Sequence, residues 1–159
     1  MFEYRITKYD PSVRNSGGTY TEWTSVSDVG RSFNGTPLTM PKYRRVERAY
    51  VVSAVEFLRE SGVESLTVRC LENRGDAVLT FGNGDVVSLE QIATIIPQLL
   101  REEFWCKLEG SDSFVHIGWD YYMYVGVPRP CAISQQLAAS LGLFVESFRS
   151  PYGESSAAD

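Results

Sequence analysis

The sequence predicts a single α+β domain in which a mostly antiparallel sheet packs against about three helices. Three observations lead to this prediction: a length of 159 residues, a hydrophobic fraction of 43%, and segments that change between strand and helix periodicity along the chain. A chain of this length buries roughly 70% of the surface that its unfolded form exposes, so it can fold without disulfides or metal. We therefore expect one domain over residues 1–152, followed by a mobile tail over residues 153–159.

The three predicted helices lie between recognisable start and stop signals. Thr39 is placed to cap the first helix, and Ser61-Gly62 ends it. Ser88 caps the second helix, which contains Pro97, and the third covers about residues 132–141. The apolar positions of the first helix recur at helical spacing, which predicts that one of its faces packs on the sheet.

Alternation of apolar and polar residues predicts the strands. The predicted strands are residues 2–9, 65–71, 77–81, 85–87, 104–108, 114–127 and 143–148. A Gly/Ser-rich loop at residues 15–18 and a short helical turn from Glu22 to Phe33 separate the first strand from the first helix, and Asn34-Gly35 ends that turn. Asn83-Gly84 favours positive φ, which predicts a tight hairpin between the third and fourth strands.

The longest predicted strand, FVHIGWDYYMYVGV at residues 114–127, carries aromatic side chains on both faces. One face is apolar and suited to packing on helices: Val115, Ile117, Trp119, Tyr121, Met123 and Val125. The other face combines aromatic and polar groups: Phe114, His116, Asp120, Tyr122 and Tyr124. A strand needs only one apolar face to be buried, so the second face is either core or a surface for a partner.

Charge and cysteine content narrow the classes of function. A net charge of −5 and a pI near 5.0 argue against nucleic-acid binding and would attract a basic protein. Cys70, Cys106 and Cys131 are widely spaced, which predicts reduced thiols and neither disulfides nor a zinc site. The amino terminus lacks the order of a secretion signal, and no apolar run reaches the roughly 20 residues of a membrane span, so we expect a cytoplasmic protein that does not enter membranes.

Catalytic chemistry has few candidate residues. His116 is the only histidine, and Asp120 lies four residues further along the predicted strand, or roughly 13 Å away. A hydrogen bond between them would need a bulge at Gly118. Residues 82–85 lack the lysine of a phosphate-binding loop, so a turn is the better interpretation. We expect no enzyme activity, cofactor or metal, and a hydrolase or transferase using His116 and Asp120 is kept as an alternative.

Aromatic and acidic residues indicate a surface for a protein partner. Tyrosine and tryptophan are frequent interface anchors, and a carboxylate among them can pair with a basic group. The predicted interface consists of Asp120, Tyr122 and Tyr124, with Trp105, Glu109 and Asp112 from the neighbouring strand or its turn. Glu22 and Trp23 form a second candidate surface, although Trp23 is expected to fold back into the core.

Four segments carry a family resemblance: YRITKYDP with EWTSVSDVG, LLREEFWCKLE, HIGWDYYMYVGV, and GLFVESFRSPY. Together they resemble small bacterial immunity proteins of contact-dependent growth inhibition and related polymorphic toxin systems, over most of residues 4–152. The resemblance implies a stoichiometric inhibitor that binds a toxin domain, commonly a nuclease, and blocks its active site or substrate-binding surface. It supplies no site residues. A self-associating structural subunit is the third alternative.

Overall fold

A seven-stranded antiparallel sheet forms the middle of the protein in the computed structural model, which describes residues 1–13 and 22–153. The strands are β1 (Phe2–Thr7), β2 (Ser32–Phe33), β3 (Thr36–Pro37), β4 (Ser65–Glu72), β5 (Val86–Ser88), β6 (Trp105–Glu109), β7 (Phe114–Ile117), β8 (Met123–Val127) and β9 (Phe144–Ser147). The sheet order is β5-β4-β6-β7-β8-β1-β9, and β2 and β3 form a separate hairpin. The helices are α1 (Met40–Glu60), α2 (Leu89–Leu100) and α3 (Ala132–Ser140). The predicted α+β class is confirmed.

The helix starts follow the capping residues of the sequence. The Thr39 side chain accepts a hydrogen bond from the Lys42 amide at the start of α1. Ser88 and Gln91 exchange side-chain and backbone hydrogen bonds at the start of α2, which forms a capping box. These local bonds satisfy amides that the helix itself leaves unpaired, and they explain why the starts of α1 and α2 were predictable. α3 starts after Cys131 without a side-chain cap.

The helices cover one face of the sheet and enclose the core. Residues on alternate strand positions, such as Leu108 and Val115, meet fully buried helix residues in one continuous hydrophobic cluster. The helix residues at the centre of this core are all buried: Tyr50, Phe57, Ile92 and Leu99. Within the described ranges, the helices are too short or too polar for any of them to span a bilayer.

The predicted long strand at residues 114–127 is instead a hairpin. β7 and β8 pair with each other in antiparallel register, with Val115 opposite Val125. A turn separates them, in which Asp120 and Tyr121 have φ of 62° and 67°. The prediction was wrong because the apolar residues of β8 lie on the same face of the sheet as those of β7. The alternation of apolar and polar residues therefore continues through the turn as if the strand were unbroken. Both arms are internal to the sheet, but Trp119 projects from the turn and is 63% exposed.

The predicted hairpin at Asn83-Gly84 is also wrong, because β5 pairs with β4 and no strand forms at residues 77–81. Buried Leu66 lies opposite buried Val87 in this pair, so long-range packing determines the partner strand. The same dipeptide at Asn34-Gly35 does form a tight hairpin between β2 and β3. An Asn-Gly turn therefore reverses the chain in both places, but only one of them joins adjacent strands.

The last described residues, 148–153, cross the face of the sheet opposite the helices, and we call them the C-terminal segment. The Ser150 amide donates a hydrogen bond of 2.9 Å to a carboxylate oxygen of Glu3. The Tyr152 ring lies against Gly118, where an added Cβ would be 2.9 Å from its hydroxyl oxygen. Apart from Gly153, the predicted mobile tail lies outside the described residues, as does the predicted loop at residues 15–18.

Candidate functional site

A groove of about 470 Å³ lies beside the turn between β7 and β8, and we call it the Trp119 groove. Its aromatic and acidic lining residues are Phe104, Trp105, Trp119, Tyr152, Glu72, Glu102 and Glu103. The groove is of the size that accepts a side chain or a short segment of a partner.

The aromatic wall is held in place by neighbouring elements. Trp105 begins β6, and its indole Nε1 donates a hydrogen bond of 3.0 Å to the carbonyl oxygen of Ile117. The Trp105 and Tyr152 rings have centroids 5.8 Å apart. Trp119 follows Gly118 in the hairpin turn, where most of its side chain is open to solvent. The groove therefore presents a large exposed ring on a tight turn.

The acidic wall is formed by the end of α2 and by β4. Glu102, the second residue after α2, adopts a φ of 59°, a conformation that favours glycine. Glu102 and Glu103 are exposed, and neither forms a salt bridge with another described residue. Glu72 is 3.7 Å from Arg74, the one cation of the lining. Three carboxylates and one guanidinium beside aromatic rings attract a cationic side chain.

The structure separates the residues of the predicted interface. Trp105 lines the Trp119 groove, and exposed Asp120 follows Trp119 in the turn. Tyr122 is half-buried. Tyr124 is buried beneath the C-terminal segment, where its ring contacts those of Phe148 and Tyr152 at centroid distances of 6.0 Å. The prediction of Tyr124 as a surface contact is therefore corrected.

Glu109 and Asp112 lie toward the opposite end of the sheet from Trp105. Glu109 lies four positions after Trp105 along β6, or roughly 13 Å away. Asp112 is exposed in the following turn. Glu22 is half-buried near Lys8, with a charge separation of 3.9 Å.

Trp23 folds back into the core and is 5% exposed. Its ring packs against those of Tyr43 and Tyr121, with centroid distances of 5.4 and 5.0 Å. The apolar contacts of an indole explain why this tryptophan is withdrawn from a polar stretch of sequence. Trp23 is therefore removed from the candidate contact surface, and Trp119 is the exposed tryptophan of the described chain.

His116 forms a hydrogen-bonded cluster with partners that differ from the predicted Asp120. Its Nδ1 lies 2.8 Å from Ser150 Oγ, and its Nε2 lies 3.0 Å from Glu109 Oε1. The imidazole also stacks on the Phe114 ring at a centroid distance of 4.2 Å. Burial lowers the pKa of His116, and the hydrogen bond that its imidazole donates to the Glu109 carboxylate opposes this shift.

Ser150, His116 and Glu109 are linked by hydrogen bonds in the order serine, histidine, carboxylate, which is the arrangement that activates a serine nucleophile. If Nε2–H donates to Glu109, then Nδ1 can accept the Ser150 proton. A cavity of about 420 Å³ adjoins Glu109 and His116. However, Ser150 is only 6% exposed, and its oxygen also accepts the Tyr152 amide proton. Ser150 was not among the predicted site residues, because this serine lies outside any recognised motif.

The described residues offer little for metal or disulfide chemistry. Across residues 1–13 and 22–153, no group of three or more His, Cys, Asp or Glu side chains is arranged to hold a metal ion. Cys106 and Cys131 are buried and unpaired, and Cys70 is unpaired but exposed. Burial raises the pKa of Cys106 to about 12, which makes this thiol a poor nucleophile.

Comparison with known proteins found no matching family model, no similar curated protein and no similar solved structure.

Proposed function

We propose that this protein is an immunity protein that binds a cognate bacterial toxin domain and blocks it, with the Trp119 groove at the centre of the interface. The observation that supports this most directly is Trp119 itself, a tryptophan 63% exposed on a hairpin turn beside Glu102 and Glu103, which form no salt bridge with any described residue. A large exposed aromatic side chain next to a groove is a candidate for an interface hot spot.

Charge supports a basic partner. The chain carries a net charge of −5, and three of the four charged groups that line the groove are carboxylates. A nuclease toxin needs a basic surface to bind phosphates, so an acidic inhibitor would compete for that surface. Lysine or arginine side chains of the toxin would enter the groove between the rings and the carboxylates. In this proposal the inhibitor acts in the cytoplasm, makes no contact with nucleic acid or membrane, and is not an enzyme.

Co-expression with the toxin domain encoded by a neighbouring gene tests the proposal through growth rescue, copurification and binding kinetics. Trp119→Ala should weaken the complex by about 2 kcal/mol or more, chiefly through faster dissociation, and should reduce rescue. Ile133→Ala is the matched control, because Ile133 is 73% exposed on α3, outside the groove. Full rescue and unchanged affinity of folded Trp119→Ala would place the interface elsewhere.

A second candidate function is hydrolysis by Ser150, His116 and Glu109, which the two short contacts of His116 favour. A fluorophosphonate probe would label Ser150 if His116 activates it, and Ser150→Ala would abolish labelling. The immunity proposal predicts that the wild-type protein stays unlabelled and that Ser150→Ala, once shown to fold, still rescues growth. Sedimentation of the isolated protein separates both candidates from a self-associating subunit.

A further inference from the structure

Lys8 is buried between two aromatic rings, and none of the described residues offers its Nζ a hydrogen-bond acceptor. It follows β1, and its side chain is 6% exposed. Its Nζ lies 3.9 Å from the centroid of the Tyr9 ring and 4.1 Å from that of Trp23. Within residues 1–13 and 22–153 this nitrogen has no hydrogen-bond partner, and the Glu22 carboxylate oxygen paired with it is 3.9 Å away.

An ammonium group in this position is unusual because each buried N–H donor without an acceptor destabilises the fold. The cation–π contacts offset part of that destabilisation. Burial lowers the pKa of Lys8 to about 8, while Glu22 and Asp28 raise it and Lys42 lowers it further. Lys8 is therefore still mostly charged at neutral pH and carries N–H donors that a ligand could satisfy.

A cleft of about 340 Å³ adjoins Lys8, and we call it the Lys8 cleft. Lys42 also lines it, so two ammonium groups face one carboxylate, that of Glu22. The apolar residues that line the cleft are Trp23, Phe33, Leu38, Val46, Leu141 and Leu143. The cleft thus combines a cationic end with a hydrocarbon wall, and its size is that of a small-molecule site.

We infer that the Lys8 cleft binds a small amphipathic carboxylate. One carboxylate oxygen accepts a hydrogen bond from Lys8 Nζ, Lys42 adds a second positive charge, and the hydrocarbon part of the ligand packs on the apolar wall. The charge-assisted bond supplies the acceptor that Lys8 lacks in the described chain. The Lys8 cleft and the Trp119 groove share no lining residue, so ligand binding and toxin binding can be tested independently.

Hexanoate is the probe, titrated into the full-length protein labelled with ¹⁵N and with ¹³C at the lysine Cε. We expect saturable shifts of the Trp23 indole and Leu143 amide signals, and weaker binding of hexanol. Lys8→Met should weaken hexanoate binding at least about tenfold, as loss of a charge-assisted hydrogen bond implies. Lys107→Met, on β6 and outside the cleft, is the control and should bind hexanoate like the wild type.

The pKa of Lys8 in the wild-type protein gives a second measurement that does not depend on the variant folding. A bound carboxylate stabilises the charged amine, so saturating hexanoate should raise this pKa above its ligand-free value. Hexanoate that leaves both the cleft signals and the Lys8 pKa unchanged overturns the inference. Equal binding of hexanoate and hexanol, or of the wild type and folded Lys8→Met, overturns it as well.

Discussion

Lys8 and His116 are both buried titratable residues, but their surroundings give them different roles. His116 has a partner on each ring nitrogen and joins β7 to Glu109 and to the C-terminal segment. Lys8 has two aromatic rings and no hydrogen-bond acceptor in the described chain. The histidine is therefore expected to stabilise the fold in its neutral form, whereas the lysine is expected to destabilise it in its charged form.

Acid should destabilise the protein through His116. Burial holds its folded pKa below the ordinary value of 6.5, so the unfolded chain binds a proton that the folded protein resists. The contribution to stability is complete above about pH 6.5 and is lost as the pH falls toward the folded pKa. Urea denaturation at about pH 7.5 and 5.5 should show this loss in the wild type.

Acidification should lower the free energy of unfolding by up to about 1.4 kcal/mol for each unit by which the folded pKa of His116 lies below its unfolded pKa. His116→Gln should show a smaller decrease in the free energy of unfolding over the same pH range, since the chain contains no other histidine. Parallel pH profiles for the wild type and His116→Gln would contradict this assignment.

Replacing Lys8 by methionine should stabilise the protein at neutral pH. The folded pKa of about 8 lies below the ordinary 10.5, so the folded state disfavours the charged amine. We expect Lys8→Met to raise the free energy of unfolding by about 1–3 kcal/mol near pH 7, with Lys107→Met as the control. The advantage should shrink from about pH 8 to 10.5, because the wild type gains stability as Lys8 loses its proton. An equal or lower stability of Lys8→Met at neutral pH would contradict this account.

At the scale of elements, capping predicted the helices better than alternation predicted the strands. Thr39 and Ser88 act locally, so their side chains mark helix starts whatever the rest of the chain does. Alternation gives the face on which a residue lies but not the direction of the chain. The reversal between β7 and β8 was missed for that reason, although the apolar face was correctly assigned for Val115 and Val125.

Two glycines let aromatic rings lie flat on the sheet, and their replacement should be destabilising. A Cβ at Gly126 would lie 2.2 Å from the Phe114 ring, and one at Gly118 would lie 2.9 Å from the Tyr152 hydroxyl. We expect Gly126→Ala to lower the free energy of unfolding by about 1–3 kcal/mol. Gly118→Ala should lower the free energy of unfolding by less, because the Tyr152 side chain can shift. It should also speed hydrogen exchange of the Ser150 amide.

Gly75→Ala is the control for both variants, since its Cβ would make an ordinary 3.6 Å contact. Equal stabilities of Gly126→Ala and Gly75→Ala would show that the Phe114 ring moves aside at little cost.

Glu102, the second residue after α2, affects both the stability of the fold and the proposed interface. Glu102 has a positive φ where helices usually place glycine, a conformation that costs about 1 kcal/mol for other residues. Glu102→Gly should therefore raise the free energy of unfolding by about 0.5–1 kcal/mol in urea denaturation while weakening toxin binding. A destabilised Glu102→Gly variant would indicate that the glutamate side chain makes a stabilising contact.

At the scale of the whole molecule, the acidic and aromatic character of an interface could be predicted, but its location could not. Composition gives the net charge and the supply of tryptophan and tyrosine directly. The location depends on the hairpin that projects Trp119 and on the C-terminal segment that covers Tyr124. Both depend on contacts between residues distant in sequence, so alternation at residues 114–127 placed Tyr124 on a surface and Trp119 against the helices.

The charge dependence of association can show whether a basic toxin binds at the Trp119 groove or at the opposite end of the sheet. Glu103 lines the groove, whereas Asp112 is exposed in the turn between β6 and β7. If a basic toxin approaches the groove, Glu103→Gln should slow association roughly two- to fivefold at low salt and reduce its salt dependence. Asp112→Asn removes the same unit of charge. A smaller effect of Asp112→Asn than of Glu103→Gln on the association rate would therefore show that the position of the charge matters, and not the net charge alone. Association rates at two salt concentrations measure this, and a larger effect of Asp112→Asn than of Glu103→Gln would move the interface to the far end of the sheet.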